Sequence, residues 1–283
     1  MTTPTIEITQ PGVYDLDAET YHADPVEGHS LSSTGARRLL EMPPARWLYE
    51  RDHPPAPTPA KIFGTAVHSL VLGTGPKVIR IDADGWRLKK TQAERDAALD
   101  AGDIPLLRDE YDRAQAMADA VLAHEVAGAL FDPARGKPEQ TLIWRDADTG
   151  IWRRSMVDHL PHATADRPIL ADLKTTPDAS RKAVAKSVAN FGYHQQAAFY
   201  TDGYRALFPG SDPVMLFVFV EKPPPHLVGV VELTNSALYV GTERNRRAID
   251  IYAECQATGI WPGHSPEIEL VSLPPWAVNL EDL

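Results

Sequence analysis

The chain has 283 residues, 43% of them hydrophobic and 24% charged, with 28 Lys and Arg against 39 Asp and Glu for a net charge of −11. That length can bury a large core. The single cysteine, Cys255, excludes an intrachain disulfide and a cysteine-built zinc or iron–sulfur site, and the acidic balance argues against a uniformly basic, nucleic-acid-coating surface.

The longest apolar run, residues 214–220, falls far short of a bilayer span. The opening Met-Thr-Thr-Pro-Thr-Ile-Glu lacks the basic-then-apolar order of a signal peptide. The expectation is a cytoplasmic protein without a membrane segment.

Residues 1–30 read as an irregular arm with one short strand. The arm ends in Ser30-Leu-Ser-Ser33, which supplies N-caps for a helix through Glu41. Pro43-Pro44 stops that helix, Trp47-Leu-Tyr49 adds a further helical turn, and the proline-rich stretch 54–59 forms a loop or an extended connector. Residues 63–72 have the composition of a buried helix that ends at Gly73, with Gly64 allowing close approach of a neighbouring backbone. That helix carries His68. Alanine-rich amphipathic patterns over 91–101 and from 108 to about 128 predict two scaffold helices separated by Gly102-Asp-Ile-Pro105.

The middle of the chain changes character. Gln140-Thr-Leu-Ile-Trp-Arg145, a turn over 146–150 and residues 151–159 predict a hairpin; the strand Pro168-Ile-Leu-Ala-Asp-Leu-Lys174 follows, stopped by Thr175-Thr-Pro177. Helices over 179–189 and 193–207, strands over 214–220 and 227–233, and a long helix capped by Asn235 and reaching about Thr258 complete the pattern. It shows no internal repeat. The fold class is mixed α/β, a central mixed β-sheet flanked by helices, with 1–60 as an arm and helix packed on a core of 61–283.

Asp172 and Lys174 are two apart on a strand, so alternation turns both to one side. An Asp-x-Lys usually marks an exposed strand edge or a surface ion pair. Here it follows Ile169-Leu-Ala171, a run suited to burial, and a buried charged pair needs a partner or a metal. Asp158 closes another strand fourteen residues upstream. Two carboxylates and a lysine at neighbouring strand ends would form a cradle for a divalent cation, the chemistry of phosphodiester hydrolysis.

On the 193–207 helix, Tyr193, Gln196 and Tyr200 share one face. Either the tyrosines pack on the sheet with their hydroxyls toward solvent, or Gln196 contacts a scissile phosphate or attacking water while Tyr200 supports the substrate backbone. The basic clusters Arg37-Arg38, Lys89-Lys90, Arg153-Arg154, Arg181-Lys182 and 244–247 are either solvated surface or the lining of a phosphate-binding groove.

Taken in order, Gly64-Thr-Ala-Val-His68, Glu139, Val157-Asp158, Asp172-Leu-Lys174-Thr-Thr and Tyr193-His-Gln-Gln-Ala-Ala-Phe-Tyr200 resemble the PD-(D/E)XK nuclease superfamily. Within it the likeness is to the phage-type exonuclease VIII (RecE-like) branch, which Tyr21-His-Ala-Asp and Leu31-Ser-Ser also resemble, so it covers about residues 14–262. The resemblance implies a restriction-endonuclease-like core with helical insertions. It also implies one or two Mg²⁺ or Mn²⁺ ions held by Asp158 and Asp172, with the Leu173 carbonyl as an added ligand, His68 against a metal, and Glu139 binding a second ion directly or through water.

Lys174 would stand beside the attacking water, and Gln196 and Tyr200 would complete the catalytic set. Two departures stand out: Val157 replaces the nominal proline, and the middle acid is Asp rather than Glu. The implied function is exonucleolytic hydrolysis of double-stranded DNA ends, 5′ to 3′, leaving a 3′ single strand for an annealing protein. A homo-oligomeric ring in a bacterial or phage-infected cell goes with it. The alternatives are a structure-specific or restriction-type endonuclease and a catalytically idle DNA-binding recombination module.

Overall fold

The computed structural model describes residues 7–162, 167–274 and 277, so the opening read for a signal peptide lies largely outside it. The arm contributes β1 (Gly12–Asp15), α1 (Ala18–His22) and β2 (Ser30–Ser32). Helices α2 (Ser33–Leu39), α3 (Pro44–Asp52) and α4 (Pro59–Leu72) follow. An insertion then brings β3 (Val78–Ile81), α5 (Lys89–Asp100), β4 (Ile104–Leu107), α6 (Arg108–Ala123) and α7 (Glu125–Leu130). The core is completed by β5 (Gly136–Arg145), β6 (Trp152–Pro161), β7 (Ile169–Thr176), α8 (Arg181–Phe191), α9 (Tyr193–Leu207), β8 (Val214–Glu221), β9 (Val228–Glu232) and α10 (Asn235–Thr258). No helix among the described residues is long and apolar enough to cross a membrane.

Seven strands form one mixed sheet in the order β1-β5-β6-β7-β8-β9, with β2 pairing β6. β7 and β8 run parallel through the α8–α9 crossover, while the β5–β6 hairpin and β9 are antiparallel to their neighbours. β6 is shared along its length. Its first residues pair with β2, Ser30 facing Trp152, and its far end meets β7 where His159 faces Ala171.

Alternation sorts the side chains onto two helical layers. Leu142, Trp144, Leu170, Phe217 and Phe219 pack against α2, α9 and α10, whereas Ala171, Leu173, Val218 and Val220 pack against α4, α6 and α7. Asp172 and Lys174 therefore belong to the α9 side of the sheet. Two glycines let the layers close up: a Cβ at Gly203 would come within 2.6 Å of the Trp144 ring, and one at Gly241 within 2.1 Å of the His194 carbonyl oxygen. Larger residues there would force α9 off the sheet or off α10.

The structure differs from the sequence expectations in several places. Ser30 and Leu31 are drawn into strand β2, leaving Ser32 as the cap that accepts from the Gly35 amide. Parallel pairing with β6 outcompetes the helical start. The short strands β3 and β4 form a separate two-stranded parallel sheet that a four-residue pattern interrupted by Pro105 does not announce. His124 breaks the second scaffold helix, its Nδ1 accepting from the Ala127 amide to cap α7. Thr234, not Asn235, caps α10. A Cβ at Gly64 would meet only the Thr175 hydroxyl at 3.9 Å, so no close backbone approach depends on that glycine.

Candidate active site

Strand register brings three carboxylates into one row. Pro138 faces His159 and Gln140 faces Val157 across the β5–β6 hairpin, so Glu139 lies opposite Asp158. On the other side His159 faces Ala171, each next in sequence to one of the aspartates, and Asp158 lies close enough to act on the charge of Asp172. Directly opposed side chains on antiparallel strands are close neighbours, and like charges there repel. Glu139 reaches its place with φ at +47°, a left-handed backbone uncommon for a residue with a side chain.

Asp172 is the most enclosed of the three, at 2% exposure. Its Oδ1 accepts from Gln196 Nε2 at 2.5 Å. Its Oδ2 lies 2.5 Å from Lys174 Nζ, so an ammonium and an amide hold the two carboxylate oxygens. Burial drives the carboxyl pKa upward, Lys174 opposes it and Asp158 adds to it, with the outcome raised to about 6.

Burial also acts to lower the Lys174 pKa, but the charges of Asp172 and Asp158 outweigh it, so the net shift is upward and the side chain stays an ammonium. That ammonium sits over the Tyr193 ring, 5.0 Å from its centroid. Phe217 lies beneath it at 6.0 Å.

Asp158 is held from two directions. Its Oδ2 accepts from the Leu173 amide at 2.7 Å and lies 3.3 Å from His68 Nδ1 on α4. Glu139 is half-buried; burial and then Asp158 raise its carboxyl pKa, against the pull of His68. Its carboxylate lies over the turn at Gly75, where an added Cβ would come within 3.5 Å of Oε2.

His68, Glu139, Asp158, Asp172, Leu173, Lys174 and Gln196 are thus brought together. Tyr200 stands one layer deeper. It is 9% exposed, and burial, the nearby phenol of Tyr21 and the two aspartates raise its pKa, while Gln196 hydrogen-bonds to it. What Tyr200 touches is Gln196, not open surface.

Among the described residues no three His, Cys, Asp or Glu side chains already stand as a closed metal shell. Their present partners explain why: Asp158 is turned to Leu173 and His68, and Asp172 is clamped between Lys174 and Gln196. The donor chemistry nevertheless fits a hard divalent ion. Three carboxylates face one ammonium, and oxygen ligands predominate.

The aromatic floor under Lys174 escaped the sequence reading. Its signal was present in the alternation of 214–220: the parallel register Asp172↔Phe217 and Lys174↔Phe219 sets those rings beside the charged pair. A cleft of about 750 Å³ lies elsewhere, at the opposite ends of the strands between α9 and α10. Its Arg153 and Arg246 are already paired with Asp146. The desolvated carboxylates, not that larger space, mark the chemistry.

A protein family described as "PDDEXK-like domain of unknown function (DUF3799)" matches residues 40–274. Among solved structures, a protein from Eubacterium rectale described as a "putative exonuclease" is similar in fold, with a TM-score of 0.64 over 95% of this chain and 98% of that chain at 12% identity. A second, SSO0001, covers 51% of this chain and 69% of its own at 12% identity, and its TM-score of 0.28 is too low to inform the fold. No curated protein matches the sequence.

Proposed function

Because the chain belongs to the family of PDDEXK-like domains matched over residues 40–274, we propose that it is a metal-dependent deoxyribonuclease that degrades linear double-stranded DNA from its ends. The observation that carries this reading is the meeting of half-buried Glu139 and Asp158 with buried Asp172 and a protonated Lys174. PDDEXK-like nucleases generally use divalent ions such as Mg²⁺, which when bound supply a Lewis acid and a bound water of lowered pKa. Asp158 and Asp172 would hold the ion, with His68 and Glu139 at its rim.

The protein's own groups then have distinct tasks. Gln196 orients Asp172 through its Oδ1, and the Leu173 amide orients Asp158. Lys174 is too well paired to serve as a base. Its ammonium, seated on Tyr193, donates to the attacking water or to a non-bridging phosphate oxygen and offsets charge growing in the transition state. Burial makes each of these interactions stronger than it would be in water. Digestion from 5′ to 3′, a 3′ overhang passed to an annealing protein, and a ring of copies follow from the resemblance to the exonuclease VIII branch.

The test is a linear duplex labelled at either end, offered beside a covalently closed circle with Mg²⁺ or Mn²⁺. The parent protein shortens the linear strand from its 5′ end and spares the circle. Asp172→Ala and Lys174→Ala proteins are slower by about 10²–10³-fold each. Folded variants that work at the parent rate would overturn the assignment, and cutting of the circle would make the protein an endonuclease.

A further inference from the structure

An acidic protein that holds DNA must keep some cations free, and pairing decides which. Arg37 is tied to Glu41 and to the Phe191 carbonyl, and Arg38 to Glu50. Arg153 and Arg154 are interior, bound to Asp146 and Asp202 and to Asp24. Lys90 pairs with Glu94, Arg246 with Asp146, Asp148 and Asp250, and Arg244 donates to Gln195. Lys89 and Arg247 are exposed and also without an ion pair among the described residues, each in a cluster with a paired member; Arg181-Lys182 stands apart as a whole. Neither residue makes an ion pair among the described residues, and both are exposed.

Helix α8 displays this pair deliberately. Its sequence, RKAVAKSVANF, contains three cations and no acid. Val184 is buried and Val188 packs on the core one turn later, so Lys182 and Lys186, two positions off that stripe, project to solvent. The acids nearest its start are engaged: Asp178 Oδ1 accepts from the Ser180 amide and Glu221 Oε1 from the Ala179 amide.

The helix begins just beyond the strand that bears Asp172 and Lys174. Lys222 joins it there, because its amide donates to the Thr176 carbonyl at the end of β7, and its side chain also lacks an ion pair among the described residues. On the opposite layer α4 carries Lys61, without an ion pair among the described residues, two turns before His68. Free positive charge thus flanks the site from both sides of the sheet.

We propose that Arg181, Lys182, Lys186 and Lys222 form the surface that grips the phosphate backbone of the DNA duplex as its end enters between α4 and α8. This rests on the nuclease reading above and adds where the substrate lies. Binding through these residues releases counterions, so it leaves a salt-dependence signature of about 0.9 in the log–log slope per phosphate contact.

Fluorescence anisotropy of a labelled linear duplex, with EDTA present and salt varied from about 50 to 300 mM, reads that slope. For Arg181→Ala/Lys182→Ala/Lys186→Ala in the full chain we expect the slope to shrink by roughly 3. At low salt with Mg²⁺, KM for DNA rises at least tenfold while kcat at saturating DNA is retained. The charge-preserving Arg181→Lys/Lys182→Arg/Lys186→Arg protein keeps the parent slope. A parent that cleaves DNA while the triple alanine variant keeps the parent slope and KM overturns the proposal and leaves the nuclease reading standing. A folded charge-preserving variant that behaves like the alanine variant overturns it as well. A parent that neither binds nor cleaves DNA overturns both.

Discussion

Replacing Gly241 by Ala tests whether the packing of α9 against α10 sets the site. In isolation Ala is the better helix residue by about 1 kcal/mol, so propensity alone makes the variant more stable. The packing says otherwise. The new Cβ would lie 2.1 Å from the His194 carbonyl oxygen and 2.6 Å from its carbon, both backbone atoms that no rotamer change can move.

Relief requires α9 and α10 to separate by about 1 Å, a strain of roughly 1–3 kcal/mol. The same motion pulls on the buried bond from Asn245 to the Gln195 carbonyl at 2.9 Å and the partly buried one from Arg244 to the Gln195 side chain at 3.0 Å, adding about 1–3 kcal/mol. Net of the propensity gain, we expect a loss of about 1–5 kcal/mol in urea unfolding, and a melting temperature lower by roughly 2–20 °C. Gln196 and Tyr193 ride on the displaced helix, so DNA hydrolysis falls by up to about 10²-fold although Gly241 touches none of the reacting groups. A variant as stable as the parent, or more stable, would refute the packing argument.

Two further predictions concern the charged row. Asp172 has its folded pKa raised from 3.8 to about 6, so the metal-free protein loses stability as pH rises through that window, and the penalty is absent below it and complete above it. Relative to Asp172→Asn, parent stability measured by urea unfolding in EDTA should therefore decline by on the order of 3 kcal/mol between pH 4 and pH 6.5; a pH-independent difference contradicts the buried-carboxylate account. His68→Ala should weaken Mn²⁺ affinity by about 10–100-fold, because the imidazole braces Asp158 at 3.3 Å. An unchanged Mn²⁺ titration would return His68 to a packing role.

Much of the scaffold was legible because local signals agreed. α9 spans Tyr193–Leu207 as its periodicity foretold, since Gly192 at φ +67° both ends α8 and starts α9. The β5–β6 hairpin and the β7 and β8 strands follow from alternation and turn residues. Pairing was not legible. The register between β6 and β7 is the single pair His159 and Ala171, so nothing local declares that Asp158 comes near Asp172. Glu139 reads as an ordinary strand residue, and only the backbone reveals its left-handed φ. Likewise, charge clusters look alike until their partners are known: Arg153-Arg154 and Arg181-Lys182 are equivalent pairs on paper, one interior and one exposed without an ion pair among the described residues.

The amino-terminal arm carries a practical lesson for anyone cutting this protein down. Residues 12–15 zip onto β5 and 30–32 onto β6, more than a hundred positions away, while Ile8, Leu16 and Val26 cover Ile143 and Trp152. All of this precedes residue 40, where the family match starts. A fragment trimmed to that limit would present a naked, apolar sheet margin to its neighbours in solution, the geometry from which insoluble protein grows.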